Sequence, residues 1–352
     1  MTDTTTKVRT AARPYQPSWI DRFTAWVEQL PLPEWVFYGG LGLVLIAIQL
    51  LFLWWDGGLH LGTLLPVIVF NALAIPYSLA LIHALDNQAV RALNAMRPTL
   101  AIAEPDLHEL QYRLSTMPSR PTIMVGLGLM IFLLLTEGLG VVPVRYAALD
   151  DLPVFSIVYH LIDKSIPFLV GPFVYHTIAQ LRLVNTIYSE HARINLFDIK
   201  PLYAFSTLTA STAAGLVVTA YGWMLINPEL LTEPVGLVGT TPFALLAVAV
   251  FVWPLLGAHR LMDAEKDSML HRIDQQFAAA FAAFNQRFQD GDYAAMEGLN
   301  ATIASLEIQH NKVKAIPTWP WRPETVRSVL AVIALPPVLS AIQQLVERLF
   351  RR

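Results

Sequence analysis

The sequence predicts an all-α, polytopic membrane protein of six to seven transmembrane helices with a cytoplasmic helical hairpin. Composition points there first: 55% of the 352 residues are hydrophobic, 14% are charged, and the mean hydropathy is +0.48. A soluble domain carries charge on about a quarter of its residues. The apolar residues also gather into stretches of about 20, the length of a bilayer crossing. Lysine and arginine, finally, alternate between rich and poor connections along the chain.

Residues 1–33 are mixed polar and charged, without the short apolar run of a cleavable signal peptide, and read as a cytoplasmic N-terminal segment. Residues 34–257 read as a six-helix transmembrane core. Its first helix, Glu34–Trp55, is apolar throughout and carries aromatic anchors at both ends. The second covers 61–85, interrupted by Pro66 and Pro76, and the third covers about 122–144. The fourth lies within 153–184, long enough that one end must project from the hydrocarbon. The fifth and sixth cover 202–226 and 242–256. Between the second and third, residues 86–120 form a cytoplasmic helical loop, broken at Pro98 and restarting near Glu104-Pro105.

Residues 258–316 read as a cytoplasmic helical hairpin. Phe277, Phe281, Phe284 and Phe288 mark one stripe, Asp290-Gly291-Asp292 a turn, and Met296, Leu299, Ile303 and Leu306 a returning stripe. The phenylalanines are expected to be buried, within the monomer or as a seam between subunits. Residues 317–352 form a proline- and tryptophan-rich linker and a last apolar stretch, 329–346, which either crosses the membrane or lies in its interface.

Orientation follows from the basic residues. Lys7, Arg9, Arg13 and Arg22 lie in the N-terminal segment; Arg91, Arg97, Arg113 and Arg120 follow the second helix; Arg182, Arg193 and Lys200 follow the fourth. The opposite connections hold only Arg145. The chain is therefore expected in the cell (inner) membrane as a multi-pass protein with its N-terminus in the cytoplasm.

Ionisable groups inside apolar segments are costly, so each is a candidate for function. Glu137 near the outer end of the third helix and His160, Asp163 and Lys164 in the fourth lie at comparable depth. They read either as an ion site or as a ring at headgroup level. His176 lies deeper, beyond the helix-break candidates Pro167, Gly171 and Pro172, where a broken helix would expose carbonyls to a site. The hydroxyl-rich start of the fifth helix, Ser206 to Gly215, suits either close packing or pore lining. His259, Asp263, Asp267 and His271 recur every four residues, a spacing that would hold a divalent metal or else form a solvated face.

Several classes are excluded or disfavoured. The absence of cysteine removes thiolate nucleophiles and cysteine metal sites. There is no P-loop, HExxH, GxSxG or dinucleotide fingerprint, so no enzyme and no cofactor are expected. A net charge of −3 without a basic cluster gives no reason for a nucleic-acid partner. The expected partners are the lipid bilayer, further copies of the chain and an ion or small ligand. The leading expectation is a channel-like or pore-forming oligomer with the hairpin as assembly or gating element. A membrane sensor or scaffold relaying a signal through the hairpin, and a secondary transporter, are the alternatives.

Overall fold

The computed structural model describes residues 14–58, 65–139, 152–193, 195–226, 245–291, 293–331 and 334. The elements, in chain order, are α1 (Trp19–Glu28), α2 (Glu34–Trp55), α3 (Leu65–Met96), α4 (Glu104–Ser115), α5 (Ser119–Gly138), α6 (Pro153–Thr186), α7 (Ala204–Ile226), α8 (Leu256–Asp290) and α9 (Tyr293–Lys314). Among the described residues β pairing is confined to two isolated bridges, Pro17 with Pro118 and Leu100 with Ala192.

Among the described residues, six helical stretches are long and apolar enough to cross a membrane. They leave large apolar side chains outward, such as Leu43 at 68%, Met124 at 71% and Ile157 at 70% exposure. A contiguous surface of that kind is rare on soluble proteins and matches lipid. The last apolar stretch, 329–346, falls almost wholly outside the described residues.

Two elements differ from the sequence reading at the N-terminal end of the bundle. Residues 19–28, read as part of a polar segment, form the amphipathic α1, opened by a capping box in which Ser18 Oγ accepts from Asp21 N–H and an Asp21 oxygen accepts from Ser18 N–H. Its Ile20 and Val27 are buried in the main core. The second membrane helix does not stop at residue 85: α3 continues to Met96, because nothing between Pro76 and Pro98 breaks it. About a third of the expected loop is thus a helical extension. The remainder, α4, buries Leu107, Leu110 and Leu114 against it.

α6 packs against α2, α3 and α5 and has 14 buried residues. The break expected at Pro167, Gly171 and Pro172 does not form, and both prolines are buried inside one continuous helix. Neighbouring helices can re-satisfy the backbone groups that a proline frees, so a proline-containing span stays continuous. Gly171 has another task. A Cβ there would lie 2.7 Å from Val125 O, and one on Gly126 would lie 2.6 Å from Phe168 O, so α5 and α6 touch backbone to backbone at these glycines.

The sixth span extends far beyond 242–256. From Leu245 to Asp290 the chain is helical over 46 residues, tightened once by a 3₁₀ turn at Trp253–Leu255. It ends at Gly291, whose φ of +74° supplies the left-handed cap. The hairpin forms, but its core is Ile273, Leu306 and Val313 with Met269, Leu270 and Ala280. Phe277 and Phe281 stack on each other at 6.4 Å and stay exposed, Phe281 at 51%. The expected burial of the phenylalanine stripe within the monomer is therefore not found. At 3.6 residues per turn Phe281 lies about 80° round the helix from Ile273, on the flank of the face that α9 covers.

Candidate functional site

The polar groups of α3 and α6 meet at the end of the bundle that also carries α1, α4 and the hairpin. Asp86 of α3 accepts from His176 Nε2 at 2.6 Å and from Gln180 Nε2 at 3.4 Å, and Gln180 also donates to Leu114 O at 2.8 Å. All three residues are buried. A buried carboxylate needs such partners to avoid the full cost of desolvation.

The pair is not sealed. Asp86 forms part of the wall of a cavity of about 580 Å³, whose other walls include Asp21, Glu28, His83, Arg22 and Arg91. The two arginines are exposed, whereas Asp86 lies buried among the cavity-lining residues. Asp21 is held by the chain crossing beneath it: one oxygen accepts from Ser18 N–H at 2.7 Å and from Met117 N–H at 3.0 Å. Burial pushes its carboxyl above the ordinary value, against those hydrogen bonds, which favour the anion. Its other oxygen is buried without a hydrogen-bond partner among the described residues.

A second charged cluster lies at the opposite end. Lys164 Nζ donates to both oxygens of Glu137, each at 2.7 Å, and lies 2.8 Å from Asp163 Oδ2. The structure thus brings together three of the residues singled out at that depth. The fourth, His160, lies at a ring distance of 5.4 Å from Tyr159. These side chains keep 22–31% of their surface. His176 is separated from Lys164 by 12 residues of α6, about 18 Å of helix.

The other candidates are placed elsewhere. Ser206, Thr209 and Thr212 are buried, and each hydroxyl donates to a carbonyl of its own helical segment, Tyr203, Ser206 and Leu208 respectively. Gly215 lies against Leu81, and Tyr77 of α3 donates to its carbonyl, so this face of α7 packs on α3. On α8, His259 is stacked on Trp319 at 4.0 Å and its Nδ1 lies 3.1 Å from Thr318 O. Asp263, Asp267 and His271 are exposed, and His271 pairs with Gln275. Among the described residues the one group of three ligating side chains whose donor atoms converge is Glu28, Glu34 and His83.

Neither Asp86 nor His83 stands out in the sequence reading, because both fall where the second span was taken to end. The signal was present. His83 and Asp86 are spaced i, i+3 on an uninterrupted helical stretch, so they share a face. Comparison with the models of known protein families, with curated proteins and with solved structures finds no match.

Proposed function

We propose that the chain is a channel-like membrane protein that passes cations, protons included, along α6, and that it assembles with further copies of itself through the hairpin. One observation carries the reading: a single helix, α6, bears ionisable groups at two depths, each held by a partner on a neighbouring helix, and the inner pair adjoins a cavity of about 580 Å³. Carboxylates deep in that cavity favour cations over anions. On the charge tally the cavity, α1 and the hairpin face the cytoplasm. Glu137 and Lys164 then lie at the outer mouth.

The test is flux. Purified protein in liposomes should dissipate an imposed pH gradient faster than empty liposomes do, and Asp86→Asn should slow it at least tenfold. Wild-type protein that leaves the gradient intact, and leaves a potassium gradient intact as well, removes the reading. A second reading, a sensor or scaffold, draws on the helix that continues from membrane span to hairpin for 46 residues. A rigid rod of that length would carry motion between the two compartments without any flux.

A further inference from the structure

The proposed path makes no use of the convergence of α1, α2 and α3. Glu28 is the last residue of α1, Glu34 the first of α2, and His83 lies within α3, one turn before Asp86. His83 Nε2 lies 3.0 Å from Glu28 Oε1 and 3.6 Å from Glu34 Oε1. We propose that these three residues bind one divalent transition-metal ion of the zinc class, and that the ion ties the three helices together.

The geometry fits such an ion. All three donor atoms lie within 4.8 Å of one another. Ligands at about 2.0–2.2 Å in a tetrahedral site stand roughly 3.3–3.6 Å apart, so the side chains would need little movement. The histidine is preset for the task. Its ring is buried at 2% exposure, and Tyr38 Oη lies 3.1 Å from Nδ1, the kind of outer hydrogen bond that orients a ligating imidazole. The backbone is constrained too, since Pro31 and Pro33 lie in the short connection that spaces Glu28 from Glu34.

Charge and access point the same way. Two carboxylates converge on one imidazole, and among the described residues neither has a lysine or arginine within 4.0 Å. Both remain about half exposed, at 50% and 47%. Glu28 also lies on the walls of two cavities, of about 580 and 540 Å³, so an aqueous ion can arrive and a water can complete the coordination. An imidazole in the set selects zinc-like ions over magnesium or calcium, which prefer oxygen alone. Binding needs the Nε2 lone pair. The neutral ring then takes the other tautomer: its proton moves from Nε2, where it faces Glu28, to Nδ1, and Nδ1–H donates to Tyr38 Oη.

The site borders the cavity that Asp86 also lines, but the two proposals fail separately: zinc binding requires no flux, and flux requires no zinc. The experiment uses the full chain in detergent, stripped with a chelator and titrated with zinc chloride by calorimetry, with magnesium chloride for comparison. Zinc should bind at one ion per chain and raise the melting temperature, whereas magnesium should do neither. His83→Gln should abolish binding, Glu34→Gln should weaken it by roughly tenfold or more, and Tyr38→Phe should weaken it by roughly tenfold. Because Glu34 is half exposed, Glu34→Gln keeps the fold and decides the matter even where His83→Gln fails to fold. Absence of zinc binding, binding unchanged in Glu34→Gln, or loss of the bound zinc in His271→Ala would each overturn the proposal.

Discussion

The Asp86–His176 pair and the Glu137–Lys164 pair use the same chemistry at two ends of one helix, yet their surroundings differ. Asp86 and His176 keep 11% and 7% of their side-chain surface, against 31% and 22% for Glu137 and Lys164. Burial decides what an ion pair is worth when broken. A partner left alone in a dry site bears its full desolvation cost, whereas one near the headgroups recruits water. The inner pair is also braced by Gln180, while the outer pair shares its lysine with Asp163. The inner site therefore has less water to fall back on when a partner is removed than the outer one.

That contrast sets the order of the mutational effects. His176→Ala leaves Asp86 buried without its main partner and should cost about 3–5 kcal/mol, read as a lower melting temperature in detergent. His176→Ala with Asp86→Leu should recover most of that loss, and additive losses would show that the two do not act as a pair. Lys164→Met should cost about 1 kcal/mol, because Glu137 and Asp163 stay near water. A loss as large as that of His176→Ala would mean that both ends are equally dry and would erase the distinction.

A smaller effect concerns Asp21, which borders the inner cavity. Its folded-state carboxyl is raised by burial, so the protonated form is favoured on folding. That contribution is fully present below the ordinary aspartate value and is lost as pH rises through the raised one. Melting followed upward from about pH 4 should show a decline in stability, and Asp21→Asn should flatten it. A decline unchanged by the substitution would assign the titration to another group.

The smallest effect on the monomer is expected at Phe281, which is half exposed on the flank of α8. Phe281→Asp should change monomer stability by about 0.5 kcal/mol or less. In the proposed assembly it should still shift the purified protein to a smaller species on sizing in mild detergent. An unchanged size would remove the hairpin flank from the subunit contact.

The two pairs also differ in how far the sequence discloses them. Glu137 and Lys164 are visible because each interrupts an apolar run, and helix rise alone puts them at one depth. His176 is visible for the same reason, but its partner is not. Asp86 lies where hydropathy falls, and hydropathy marks where lipid ends rather than where a helix ends. α3 crosses that boundary without a break, carrying His83 and Asp86 into the core made with α1 and α4. The phenylalanine stripe shows a different limit. Spacing defines a face correctly, but which face the returning helix chooses depends on its approach, and α9 settles on Ile273 and Ala280 instead. The prolines of α6 show a third: burial between neighbours keeps a helix continuous that local rules would break.

The claim that ions move along α6 between the two pairs is tested most directly by cysteine scanning, for which the cysteine-free chain is already suited. Single cysteines placed from 165 to 175 in reconstituted protein would be exposed to a membrane-impermeant, water-soluble thiol reagent. A continuous water path predicts modification at positions three to four residues apart throughout that stretch, slowed when Asp86→Asn is added. Modification confined to the two ends, with none of the intervening positions reacting, would contradict it.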